Sequence, residues 1–119
     1  MSSDLANAGI PLALPPLPPA TTLPWSAEVV QAHRGLVSAF GISYRALNLD
    51  ESDAIRLGHH VKQAKTFMTS IVDVFDAQTH NPLPTDYIKT LRRAVELLID
   101  GLQVALSRAT SVFVVNLCG

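Results

Sequence analysis

Apolar residues recur along the middle of this chain in alternating steps of three and four. Ala54, Leu57, Val61, Ala64, Met68, Ile71 and Phe75 make one such series, the spacing that lays a single apolar stripe along one side of a helix. Ile88, Leu91, Val95, Leu98, Leu102 and Ala105 make a second. Between them, His80-Asn81-Pro82-Leu83-Pro84-Thr85-Asp86 breaks the pattern. Its two prolines lack backbone donors and push the residues before them out of the helical region. The pattern predicts a long antiparallel helical hairpin, whose two stripes need further helices to cover them.

A third amphipathic stretch precedes the hairpin. Val29, His33, Leu36 and Phe40, with Val30 and Val37 beside them, predict a helix over 26–47 opened by Ser26 as N-cap, with Glu28 near its positive end. Gly35 and Gly41 weaken it, and Gly41-Ile42-Ser43 is the place for a kink. Asn48-Leu49-Asp50 turns the chain, Asp50 is the expected cap of the second helix, and that helix is expected to reach Ala77 to Thr79. Thr85 or Asp86 is expected to cap the third helix, which runs to Arg108 or Thr110 with Gly101 inside it. A lone interior glycine costs about 1 kcal/mol relative to alanine, so Gly101 is expected to permit a close helix contact or a local bend.

The ends differ from this middle. Residues 1–24 hold six of the eight prolines, Pro11, Pro15, Pro16, Pro18, Pro19 and Pro24, and read as a disordered arm. Within it, Pro15-Pro16-Leu17-Pro18 is a candidate ligand for a domain that grips polyproline helices, without a flanking Arg or Lys, against the reading of a plain linker. The other end, Val112-Phe113-Val114-Val115-Asn116-Leu117, is almost wholly apolar. It is too short to span a bilayer and too apolar for water, so Val112, Phe113, Val114, Val115 and Leu117 form a candidate partner or self-association surface. A chain that stops on this run reads as a bundle cut before its last helix. The expected architecture is therefore all-α: an up-and-down bundle of three long helices over 25–119, of four-helix type lacking the last helix, behind the arm.

Composition narrows the function. Apolar residues make up 48% and charged residues 16%, with a net charge of −1. A general nucleic-acid binder needs an excess of Lys and Arg to displace counterions from phosphates, so nucleic acid is not an expected partner. One cysteine, Cys118, forms no internal disulfide, and no basic residue precedes His33 and Arg34 in the manner of a secretory signal. The expectation is a cytoplasmic protein, peripheral at the plasma membrane if it meets lipid.

Enzyme signatures are missing from the sequence. The six glycines are scattered, unlike a phosphate loop. His59 and His60, about 100° apart on a helix, cannot grip one metal together. Cys118 has no nearby base in sequence, and Asp73 and Asp76 read as two solvated carboxylates. The chain is expected to be non-catalytic, with no cofactor, metal or small-molecule substrate. Arg56, Lys62 and Lys65 on the second helix and Lys89, Arg92 and Arg93 on the third lie off the apolar stripes. They are candidate contacts for anionic lipid, each worth about 1 kcal/mol near such a surface. The alternative is a solvated face in which Arg92 pairs with Glu96.

The string Arg56-Leu57-Gly58-His59-His60-Val61, the following helix, the turn into Leu83-Pro84-Thr85-Asp86-Tyr87-Ile88-Lys89-Thr90, and Ser107-Arg108-Ala109-Thr110-Ser111 together resemble one known kind of domain. It is the N-terminal four-helix bundle of mixed lineage kinase domain-like pseudokinases, akin to the HeLo-like domains of fungal and plant cell-death and signalling proteins. The likeness covers residues 26–117. Gly58, beside Leu57 and Val61, would let a neighbouring helix come close, with His59 placed to cap or bridge the contact. The resemblance implies a module that oligomerises and engages acidic membranes, or an adaptor that relays signals to an attached domain. Its rival is an assembly subunit that takes a partner helix in its apolar groove and has no membrane activity.

Overall fold

A computed structural model describes residues 9–20 and 22–118, and for 112–118 the helical backbone alone. Three helical rods are present, and no strand occurs among the described residues. Helix α1 is Ala27–Asn48. Helix α2 is continuous from 54 to 76 but changes winding: Ala54–Gln63 is α-helical, Ala64–Met68 is π-helical and Thr69–Asp76 is α-helical again. Helix α3 is Thr85–Cys118.

Local chemistry explains most of these boundaries. Ser26, extended at φ −63°, ψ 157°, accepts the Val29 N–H at 3.2 Å, the expected N-cap of α1. The end of α1 is closed by a residue in the left-handed region, Asp50 at φ 54°. Its N–H donates to Leu47 O at 3.1 Å and the Glu51 N–H donates to Ala46 O at 2.9 Å, the paired bonds of a Schellman cap. Asp50 thus ends α1 and does not open α2. The N-cap of α2 is Asp53, whose Oδ1 accepts from Ile55 N at 2.9 Å and Arg56 N at 3.3 Å. Helix α3 starts at Thr85, so neither Thr85 nor Asp86 occupies the cap position. Pro84 O there accepts from Ile88 N at 3.1 Å, and Asp86 in the first turn complements the helix dipole.

Helix α1 runs unbroken through Gly41, where an added Cβ would meet nothing within 4 Å. The irregularity lies in α2. Around its π-helical turn, Thr66 donates to Lys62 O at 2.7 Å, Thr69 to Lys65 O and Ser70 to Thr66 O. Such back-bonding hydroxyls draw backbone carbonyls off the helix axis and accompany bends and bulges.

Cross-helix contacts set the topology. Ser43 on α1 meets His60 on α2, while Gly35 faces Phe67, so α1 and α2 are antiparallel. Arg92 on α3 reaches Asp73 and Asp76 at the end of α2, so these two are antiparallel as well. The up-and-down three-helix order is as the stripes predict. Leu36, Phe40, Leu57, Ala64, Met68, Val72, Phe75, Leu91, Val95, Leu98 and Leu102 are buried between the rods. Of the stripe residues, Ala54, Val61 and Ala105 are half-buried and the others are buried.

The proline arm departs from the expectation of disorder where it is described. Residues 9–20 are extended, yet Ile10 and Leu14 are 7% exposed and belong to the core, and Leu17 packs against it. The physical reason is in the residues between the prolines. Burying an aliphatic side chain contributes about 1.5–3 kcal/mol, and the prolines have already removed part of the chain entropy that docking would cost.

Candidate functional site

The arm lies between α1 and α3, where a four-helix bundle would place its last helix. Ile10 Cδ1 and Leu47 Cδ1 each come within 3.1 Å of the position a Cβ on Gly101 would take, and Gly9, at φ +80°, passes Leu97. Further along, Pro15 O lies 3.1 Å from His33 Nε2 on α1 and accepts from Tyr87 OH on α3 at 3.4 Å. A carbonyl can only accept, so the His33 ring carries a proton on Nε2. The arm therefore runs antiparallel to both helices, descending from the Leu47–Gly101 level to the His33–Tyr87 level. At its end the Trp25 indole donates to Pro18 O at 2.7 Å, and Asn81 Nδ2 donates to Leu23 O at 3.1 Å and Pro24 O at 3.4 Å. Among the described residues no backbone–backbone hydrogen bond joins arm to bundle. Side chains of His33 on α1, Tyr87 on α3, Asn81 in the α2–α3 turn and Trp25 before α1 hold it by its carbonyls, a mode suited to extended proline-rich chain.

Burial pushes the Tyr87 phenol up to about 12 from its ordinary 10. The folded protein thus holds this proton more tightly than the unfolded chain does. The stability so gained is complete below pH 10 and is lost as pH rises from 10 toward 12. The urea midpoint is expected to fall between pH 9.5 and 11.5 more steeply in the natural chain than in Tyr87→Phe. Equal slopes would contradict a phenol shielded from water in the fold.

The sequence-predicted basic residues do not gather into one site. Arg56 pairs with Glu51 at 3.4 Å. Arg92 pairs with Asp73 at 3.1 Å and Asp76 at 3.6 Å, not with Glu96, which Arg93 meets instead at 3.7 Å. Lys62, Lys65 and Lys89 are exposed. Since Arg92 sits opposite Asp73, the Lys89–Arg93 group lies about 26 Å of helix from Arg56, and three carboxylates, Asp73, Asp76 and Glu96, stand beside it. The Arg92 pairs are exposed, so Arg92→Ala is expected to cost under about 1 kcal/mol in a urea titration.

Gly58 makes no close helix contact: an added Cβ would meet nothing within 4 Å. Close approach occurs at Gly101, and at Gly35 against Phe67. The histidine that bridges helices is His60, whose Nδ1 is 3.1 Å from the buried Ser43 Oγ, while His59 is exposed. The tail Val112, Phe113, Val114, Val115 and Leu117 continues α3 in its backbone; its side chains lie outside the described residues. Just before it, Asp100, Gln103, Val104, Ser107, Arg108 and Ser111 line an open depression on the outer face of α3. A separate apolar exposure lies at the α1–α2 end, where Ile42, Leu49 and Ile55 are 58%, 68% and 74% exposed.

Among the described residues no helix is long and apolar enough to cross a membrane. No protein-family model matches the chain, and neither does a curated protein or a solved structure.

Proposed function

We propose that this chain is a non-catalytic helical interaction module that acts in the cytoplasm by associating with other polypeptide. This is the kind of work done by the regulatory N-terminal bundles of cell-death and kinase-linked signalling proteins that its helical hairpin resembles. The observation that carries the reading is the α1–α3 groove, which takes an extended apolar segment and holds one of its carbonyls, Pro15 O, with both His33 and Tyr87. Ile42, Leu49 and Ile55, exposed large apolar side chains on α1, the α1–α2 turn and α2, offer further apolar surface for contact.

A partner helix would have to displace the arm before it could lie in this groove. Membrane engagement has a weaker basis, Lys62, Lys65 and Lys89, which are exposed and make no ion pair among the described residues. Lys62 and Lys65 stand about one turn apart on α2 and Lys89 lies on α3 beyond them, so no more than a pair acts together on a lipid surface.

Light scattering on the full chain across a concentration series tests association, and sedimentation with anionic vesicles tests lipid. The expected result is a molar mass that rises above that of one chain, with little protein carried down by vesicles. A folded monomer at every concentration, or one that associates only on vesicles, would contradict the reading.

A further inference from the structure

We propose that the α1–α3 groove of one copy accepts residues 9–20 of a second copy, so that two chains associate by exchanging arms. The inference rests on the association reading above and names its partner. The structure specifies what fits the groove: an extended segment with two aliphatic residues four apart, Ile10 and Leu14, followed by a carbonyl at the level of His33 and Tyr87. A second copy carries that segment at the same spacing. The groove floor makes room for the Ile10 side chain, since Gly101 lacks the Cβ that would meet Ile10 and Leu47 at 3.1 Å.

The tether allows the exchange. The described residues of 19–26 include no helix, and the bonds that fold them back, from Trp25 to Pro18 O and from Asn81 to Leu23 O and Pro24 O, are side-chain bonds at exposed or half-buried positions. Pro18, Pro19 and Pro24 favour extended backbone on either side of this turn, which directs the arm outward as readily as back. An exchanged pair keeps every buried contact of the closed chain. The balance then depends on the tether and on protein concentration against an effective concentration of millimolar order for a short linker.

Cys118 is the single cysteine, so full chains labelled there with a donor or an acceptor dye can be mixed and followed by energy transfer. Transfer is expected to grow over about 10 µM to 1 mM and to fall at least severalfold when a synthetic peptide of residues 9–20 is added in excess. The same peptide with Ile10→Asp and Leu14→Asp should leave it unchanged. A full chain carrying Ile10→Asp and Leu14→Asp, checked for helix content by circular dichroism, should give no transfer. Absence of transfer throughout the range overturns arm exchange. Transfer that persists with excess peptide also overturns it while leaving association through another surface in place.

Discussion

Leu98→Ala is expected to lower the unfolding free energy by about 2–5 kcal/mol, a range set by lost transfer energy plus the cavity left behind. Leu98 is fully buried in α3 at the centre of the second stripe, with Leu91, Val95 and Leu102 on the same helix. Three rods and an extended arm leave little material to collapse into the space, which places this site among the costly ones. Urea unfolding followed by circular dichroism reads the loss as a lower midpoint. Leu12→Ala, at a position 81% exposed, serves as the comparison and should change stability by no more than about 0.5 kcal/mol. Similar losses at the two positions would mean that the stripe does not face a core.

Enlarging Gly101 should separate packing from helix propensity. In Gly101→Ala the new methyl meets Ile10 Cδ1 and Leu47 Cδ1 at 3.1 Å, tighter than ordinary contact, but both are the ends of flexible side chains. Glycine inside a helix costs about 1 kcal/mol relative to alanine, so propensity offsets the crowding and the net change should be small. Gly101→Leu brings branches that neither neighbour can avoid, and overpacking of this kind costs about 1–3 kcal/mol. The arm is held more weakly than the helices and should leave first. Trp25, the single tryptophan, donates to Pro18 O at the arm's end, so its emission should shift in Gly101→Leu and not in Gly101→Ala. An unchanged emission in the leucine variant would show that the arm does not pass over Gly101.

Much of the helical architecture is legible in the pattern of apolar positions. Steps of three and four place Leu57, Met68, Ile71, Leu91, Val95, Leu98 and Leu102 in the core, and the two prolines of 80–86 place the turn. The π-helical turn at Ala64–Met68 is hidden because an extra residue per turn still leaves Ala64 and Met68 four apart, a spacing that an ordinary helix shares. The sequence pattern assigns the α2 cap to Asp50, whereas Asp53 holds it. Which one caps α2 depends on where the left-handed residue of the preceding turn falls, a matter of backbone geometry. Gly58 and Gly101 look alike as helical glycines, and only the path of the arm tells them apart.

The arm is the largest feature that composition misreads. Its proline content signals extended chain, which is correct for the described residues. Docking depends instead on Ile10, Leu14 and Leu17, which are few and widely spaced and have no period of their own. The side chains that hold the arm's Pro15 and Pro18 carbonyls, His33 on α1, Tyr87 on α3 and Trp25 before α1, are far apart in sequence. The one local signal is that aromatic residues stand at the starts of two helices near a proline-rich segment. Arg92 is similar: Asp73, Asp76 and Glu96 are all plausible mates, and the geometry of the turn selects the first two.

Whether the arm lies in the α1–α3 groove is decided by the nuclear Overhauser spectrum of the Ile10 methyl groups in the full chain. Cross-peaks from Ile10 Cδ1 protons to the α-protons of Gly101 and the methyls of Leu47 are expected, with Ile10 shifts displaced from those of a free chain. An Ile10 methyl at free-chain shifts, with cross-peaks confined to Gly9 and Pro11, would contradict the docked arm and remove the basis for the groove as an association site.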